Sequence, residues 1–92
     1  MKLENNEAIK STRKNLFIAY LQYEIEFVTS SIRMTQEIYK ALIKIALDLW
    51  EKSILNDTSL SNFVSFFMEN PRANIRKYTM EYEDFSAIVG GL

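Results

Sequence analysis

Histidine and cysteine are both missing from the 92 residues of this chain. Without histidine, the chain lacks the commonest general base near neutral pH and the commonest metal ligand. Without cysteine, it can form no thiol nucleophile, no disulfide and no thiolate zinc site. Because disulfides are rare in reducing compartments, their absence is typical of a cytoplasmic protein, and we expect that location.

Glycine and proline are scarce, since the chain has one proline and two glycines, and both glycines stand within the last three residues. No glycine-rich loop is therefore available to hold a phosphate group. A calcium loop starting at Asp57 would need glycine at its sixth position and glutamate at its twelfth, but these positions are Asn62 and Met68. We therefore predict a protein that is not an enzyme and that binds neither a cofactor nor a metal ion.

An excess of charge of either sign is also lacking, because 11 basic and 12 acidic side chains leave a net charge of −1. Such a chain has no strong field to attract nucleic acid or an anionic membrane. The longest apolar segment, residues 41–50, is interrupted by Lys44 and Asp48 and is too short to span a bilayer. We expect no nucleic-acid partner and no integral membrane insertion, and the N-terminal residues do not resemble a secretory signal.

The shortage of turn residues decides between strand and helix for the segment LQYEIEFV, residues 21–28. Its apolar residues alternate as in a half-buried strand, but only for about six residues. No Gly, Pro, Asn or Asp occurs between Leu16 and Leu47, so a hairpin has no turn there. A longer stripe runs at helical spacings of 3, 4, 3 and 4. It consists of Ile18, Leu21, Ile25, Val28 and Ile32.

A single all-α domain is the resulting prediction, a small bundle of three to four helices. The predicted helices cover about residues 6–29, 32–55, 59–69 and 71–89. We expect the first two to form a long hairpin. One continuous helix over residues 6–55 is the alternative; it would be about 75 Å long and would have to pair with other chains. Asn70 and Pro71 suit the start of the last helix, and Gly90 suits an αL cap at its end.

The second predicted helix has an unusually wide apolar face, which covers about 200°, roughly twice the arc that a surface helix needs. It is therefore either central to the bundle or part of an interface, and we expect a homodimer with dimeric packing. Trp50 lies within this arc and is predicted to be largely buried in the core or in the dimer interface.

The first predicted helix carries a second stripe of large side chains beside the aliphatic one. Its members are Leu16, Tyr20, Tyr23 and Phe27. One interpretation is that both stripes are core and face different helices. The other is that Tyr23, Phe27 and Trp50 are exposed anchors for a partner protein, because rings bring much apolar area with few rotatable bonds.

Glu24 falls within the apolar arc of the same helix. Burying an unpaired carboxylate would cost several kcal/mol, so this residue must be paired or reach water. A functional interpretation pairs Glu24 with a cation of a partner, or with Lys40 or Lys44. The simpler interpretation is a long side chain at the edge of the apolar face that extends into solvent.

The last predicted helix has its charges reversed relative to the helix dipole. Arg72, Arg76 and Lys77 lie near its N-terminus, whereas three acidic side chains follow between residues 81 and 84. Exposed charges in such positions cost only about 0.3–1 kcal/mol each. The charges either belong to a solvated face or form a strip of both signs that orients a docking partner.

Taken as a whole, the sequence is typical of a small protein-interaction module. We expect it to bind a larger protein, in an inhibitor, immunity or assembly-subunit role. The candidate partner-binding residues are Tyr20, Tyr23, Glu24, Phe27, Trp50, Arg72, Arg76 and Lys77. Frequent isoleucine and asparagine, with more lysine than arginine, indicate an AT-rich genome such as that of a low-GC bacterium, its phage or its plasmid.

The alternative function is association with a membrane or lipid surface through an amphipathic helix. Helices of that class usually carry lysine and arginine along the polar face. The first predicted helix instead carries Glu24 and Glu26 beside its rings, which favours a protein partner over a lipid surface.

Overall fold

The computed structural model of the chain describes residues 2–29 and 35–92, with side chains described for residues 11–28 and 35–92. Within these ranges five α-helices follow one another: α1 (Lys2–Thr29), α2 (Gln36–Glu51), α3 (Leu60–Glu69), α4 (Pro71–Met80) and α5 (Tyr82–Gly90). No strand occurs within the described ranges, so the predicted all-α class is confirmed. The predicted number of three to four helices is wrong, because the last predicted helix is divided into two.

Helix α1 packs on α3 and α2 through a stripe that is shifted from the predicted one. Its buried side chains are Phe17, Leu21 and Ile25, which we call the core stripe. Ile18 and Val28 are only half-buried, and Ile32 lies outside the described residues. Residues four apart are rotated by about 40° around the helix, so a stripe with spacings of 4 and 4 turns steadily, whereas spacings of 3 and 4 keep a stripe close to one line. The buried stripe therefore includes Phe17 instead of Ile18.

Helix α2 is a separate helix that packs against α1 and α4. Thr35 has an extended backbone and caps it, because its Oγ1 accepts a hydrogen bond of 3.3 Å from the Ile38 N–H. A single helix over residues 6–55 is excluded by this cap and by the longest dimension of the molecule, 45 Å. Four side chains of α2 are fully buried. They are Leu42, Ile45, Ala46 and Leu49, so the wide apolar arc is used inside the bundle.

Helix α2 ends at Glu51, four residues before the predicted end. The Ile54 N–H donates to the Leu49 carbonyl at 2.9 Å, and the Ser53 N–H donates to the Trp50 carbonyl at 3.0 Å. This is the Schellman arrangement, and it places Ser53 in the left-handed region with φ of 60°. The turned chain then buries Leu55 in the core.

Helices α3 and α4 begin close to the positions that their caps predict. Leu60, Phe63, Val64 and Phe67 of α3 are all buried, as predicted. The Asn70 side chain accepts a 3.3 Å hydrogen bond from the Ala73 N–H at the start of α4. Asn74, the one buried polar side chain of the described residues, donates to the carbonyls of Phe66 and Phe67 at 3.2 and 3.0 Å. This amide ties the start of α4 to the end of α3.

The predicted helix over 71–89 is interrupted at Glu81, which has φ of −133° and ψ of 54°. Just before the break, the Thr79 hydroxyl donates to the Ile75 carbonyl at 2.9 Å, a bond that often bends helices. The interruption removes much of the reversed charge pattern. Glu83 and Asp84 now lie in the first turn of α5, and Lys77 lies in the last turn of α4, where the helix dipole favours each of them.

The predicted αL cap at Gly90 is wrong. Neither glycine has a positive φ, and Gly90 is itself the last residue of α5. The helix ends instead through a hydrogen bond of 3.1 Å from the Gly91 N–H to the Ile88 carbonyl. This tighter i→i+3 bond closes the last turn without a left-handed residue.

Candidate functional site

The outer face of α1 exposes a row of large side chains. Leu16 is 51% exposed, Tyr20 54%, Tyr23 66% and Phe27 73%. We call these four the ring stripe. At 100° per residue they lie about 130° around the helix from the core stripe, so α1 carries apolar residues on two separate faces. The interpretation that both stripes are core is therefore wrong.

The spacing of the ring stripe is informative in itself. Its members are separated by 4, 3 and 4 residues, which is the a/d pattern of a heptad repeat. Helices with this pattern pack side by side, because the a and d side chains form a continuous seam along one face. In α1, that seam is open to solvent.

Trp50 of α2 lies between the core stripe and a groove beside the ring stripe. Its indole stacks on Phe17, with ring centroids 4.9 Å apart and planes 17° from parallel. Trp50 is half-buried, so the prediction of near-complete burial holds only for the face against Phe17. Its open side lines a groove of about 410 Å³ together with Arg13, Tyr20 and Asp57.

Glu24 is half-exposed and forms no ion pair with any described residue. The predicted pairing with Lys40 or Lys44 does not occur, and both lysines are exposed on α2. Glu24 shares a shallow depression with Tyr20 and Asp57. Two carboxylates therefore border Tyr20 on one side of the ring stripe. The sequence did not point to Asp57, because its place beside α1 depends on the turn before α3.

The cationic candidates lie elsewhere in the fold. Arg72, Arg76 and Lys77 belong to α4, which packs against α2, α3 and α5. Both arginines are exposed and Lys77 is half-exposed, and the three form no ion pair with described residues. The structure thus brings Tyr20, Trp50 and the other candidates of α1 together and leaves the α4 candidates apart.

A polar cluster that the sequence did not reveal connects α2 to α4 and α5. Asp48 Oδ2 accepts hydrogen bonds from the hydroxyls of Tyr78 and Tyr82, at 2.9 and 3.2 Å. Lys52 Nζ lies 3.0 Å from Asp48 Oδ1 and donates to the Tyr82 hydroxyl, also at 3.0 Å. Tyrosines four residues apart, opposite a carboxylate on another helix, are a signal that appears only once the helices are packed.

The protonation states in this cluster follow from its geometry. Partial burial raises the pKa of Asp48, but the hydrogen bonds from Lys52, Tyr78 and Tyr82 together outweigh it and hold the pKa below its ordinary 3.8. Burial and the bond to Asp48 raise the pKa of Tyr78. The bonds to Tyr82 and Asp48 raise the pKa of Lys52. An ionised carboxylate with three donors is a poor base, so the arrangement fits a structural clamp.

Two further properties concern binding of metals and membranes. Among the described side chains, no three acidic residues come close enough together to bind a metal ion. No helix within the described ranges combines the length and the apolar character needed to cross a bilayer.

Comparison with protein-family models, curated proteins and solved structures gave no match. The functional argument therefore depends on the surface of the chain itself.

Proposed function

We propose that the protein is a small non-catalytic protein-interaction module and that the ring stripe of α1 is its contact surface. The observation that carries this proposal is the 51–73% exposure of four adjacent large side chains on one helix face. With about 150–250 Å² for each aromatic side chain, the stripe leaves roughly 400–500 Å² of mostly apolar surface in water. A patch of this size is comparable to the largest on a typical monomer, and such patches are often functional.

The residues around the ring stripe favour a protein partner. Tyrosine and tryptophan are enriched among the residues that carry binding energy in protein interfaces. Glu24 and Asp57 border Tyr20, and Arg13 is the single cation among the described residues that line the groove beside it. Single-stranded nucleic acid would require several cations between the rings. The seam also has the helical spacing by which an amphipathic helix of another chain docks.

The same surface indicates the kind of role that the protein has. A module with a binding face and no recognisable catalytic group acts by covering or holding another chain. Inhibitors, immunity proteins and assembly subunits of larger proteins act in this way, and we place this chain among them.

Capture with a matched control tests the proposal. The immobilised wild type, the double variant Tyr20→Gln/Tyr23→Gln and the control Met80→Gln are incubated with an extract of the source cells. Glutamine keeps helix propensity, and Met80 is 76% exposed on α4, away from the ring stripe. Each retained protein is then purified and its dissociation constant measured by calorimetry.

We expect a protein, or a second copy of this chain, that binds wild type and Met80→Gln equally. Loss of two interface rings should weaken that binding by about 30-fold or more. Equal binding of the retained protein by all three immobilised proteins would contradict the proposal. It would also be contradicted if no protein is captured and the chain does not associate with itself. Circular dichroism of each variant verifies that the helices are intact.

Association with a lipid surface is the second candidate, because exposed rings are also found on helices that lie in a membrane interface. Flotation with vesicles of phosphatidylcholine and phosphatidylglycerol distinguishes it. Flotation of wild type and of Met80→Gln, but not of Tyr20→Gln/Tyr23→Gln, would replace the protein partner by a lipid surface. We expect all three to stay at the bottom.

A further inference from the structure

We infer that the ring stripe pairs two copies of this chain antiparallel across a two-fold axis, with Arg13 of each copy against Glu24 of the other. This inference rests on the proposed function, because it names the occupant of the same face. Four properties of α1 support it: the positions of its charges, the register of its rings, its length beyond the core and the area of its open face.

The charges of α1 are self-complementary. At 100° and 1.5 Å per residue, Arg13 and Glu24 project within about 20° of each other and lie about 16 Å apart along the helix. Both lie on the side of the ring stripe that faces Asp57. Neither forms an ion pair with any described residue. Opposite charges therefore stand at opposite ends of one edge of the seam.

Two-fold symmetry converts this arrangement into two ion pairs. In an antiparallel pair, the same edges of the two helices adjoin, and a contact from residue i to residue j is repeated from j to i. Arg13 then meets the partner's Glu24, and Glu24 meets the partner's Arg13. A parallel two-fold pair would instead place these edges on opposite sides of the seam and keep Arg13 and Glu24 about 16 Å apart along the axis, so only the antiparallel orientation brings the opposite charges together.

The rings fit the same register. In this register, each residue lies opposite the residue of the partner for which the two residue numbers sum to about 36 or 37. Leu16 then packs on the partner's Tyr20. Arg13 then also lies over the partner's Tyr23, where a guanidinium can stack on the ring. A register displaced by one heptad would place Tyr20 on the partner's Tyr23 but would separate Arg13 from Glu24. The charges therefore select one of the two registers.

The length of α1 gives an independent reason for a second copy. The helix begins at Lys2, but Phe17 is its first buried side chain among those described. Every side chain from residue 11 to residue 16 is exposed. In the antiparallel pair, residues 11–16 lie along the ring stripe of the partner, so that part of this exposed face becomes covered. Helices in proteins gain most of their stability from such packing.

The surface area that pairing would bury determines how stable a dimer we expect. Two ring stripes together contribute roughly 800–1,000 Å² of buried surface, and Arg13, Glu24 and the open side of Trp50 add to the rim. This total lies near the lower limit of about 1,200 Å² for specific stable interfaces. We therefore expect a reversible dimer that dissociates on dilution, with a dissociation constant on the order of micromolar.

Sedimentation equilibrium of the full chain over a wide concentration range tests the pairing by charge reversal. The samples are wild type, Arg13→Glu, Glu24→Arg, the double variant Arg13→Glu/Glu24→Arg, and the control Glu69→Arg at the exposed end of α3. We expect each single reversal at the interface to weaken the dimer about tenfold or more, because like charges then meet twice. The double variant should return to within about threefold of wild type, and the control should not change.

The outcomes separate this inference from the proposed function. A monomer at every concentration would overturn the dimer, while loss of a captured protein on Tyr20→Gln/Tyr23→Gln would still support protein binding by the ring stripe. A dimer that the charge reversals do not weaken, or that the double variant does not restore, would overturn the antiparallel register. A dimer that survives Tyr20→Gln/Tyr23→Gln would overturn the use of this face for self-association.

Discussion

Removal of the Asp48 carboxylate is the sharpest test of how the bundle is held together. Asp48→Ala deletes the acceptor of two tyrosine hydroxyls, and a hydrogen bond to a charged group contributes about 1.5 kcal/mol or more. Two effects reduce the gross loss of about 3 kcal/mol, because the Asp48 side chain is 25% exposed and alanine gains about 0.6 kcal/mol in helix propensity. Loss of the surface pairing with Lys52 adds little to it.

The net expectation is a loss of about 2 kcal/mol in the free energy of unfolding. For a domain of this size, that corresponds to a fall of roughly 8–16 °C in melting temperature. Urea denaturation followed by circular dichroism measures the change. Tyr78→Phe alone should cost about 1 kcal/mol, and in the double variant the two losses should overlap by about the same amount. An Asp48→Ala protein within about 0.5 kcal/mol of wild type would refute the clamp, and so would strict additivity.

The lowered pKa of Asp48 determines the sign of its pH dependence. Its contribution is present above the ordinary carboxyl value of 3.8, because the unfolded chain binds the proton more readily than the folded protein does. It is lost as the pH falls through the folded value. Wild type should therefore lose more stability than Asp48→Asn between about pH 5 and pH 3. Parallel stability curves for the two proteins would show that the carboxylate is not stabilised in the fold.

Two further predictions concern single positions. Ser53→Gly should stabilise the protein by about 0.5–1 kcal/mol, because Ser53 has φ of 60° and glycine adopts this conformation without steric cost. Ser53→Ala should give no such gain, and equal stability of the two variants in urea would contradict the explanation. Asn74→Ala should cost about 1–3 kcal/mol by leaving two carbonyls at the end of α3 without their donor. Asn62 is the control, because it donates a comparable bond to the Leu92 carbonyl but is exposed. Asn62→Ala should cost less than about 0.5 kcal/mol. Similar losses of stability for both variants would refute this account.

The candidate site was partly readable from the sequence. The periodicity of Leu16, Tyr20, Tyr23 and Phe27 showed that these side chains share one helix face, but periodicity says nothing about whether a face is covered. Asp57 and the groove beside Trp50 could not be predicted, because they depend on where the turn before α3 meets α1. The partner-binding role of the site residues remains a prediction.

Local features of the sequence determined the helical character of the protein and several of its boundaries. The absence of turn residues from 17 to 46 excluded a hairpin of strands, and the Asn70–Pro71 pair set the start of α4. The apolar period of α3 identified its buried residues. These features depend on backbone conformation and capping within a few residues, so the sequence alone is sufficient for them.

Only the tertiary structure decided which of the two apolar faces of α1 is core. Both faces are large and mostly apolar, and the choice depends on the fit of Phe17, Leu21 and Ile25 against neighbouring helices. The Asp48 cluster likewise depends on tertiary packing. It arises from contacts between residues that are 30 and 34 positions apart, whose energies no local pattern encodes. Packing therefore determined which rings remained in solvent, and with them the surface on which the proposed function depends.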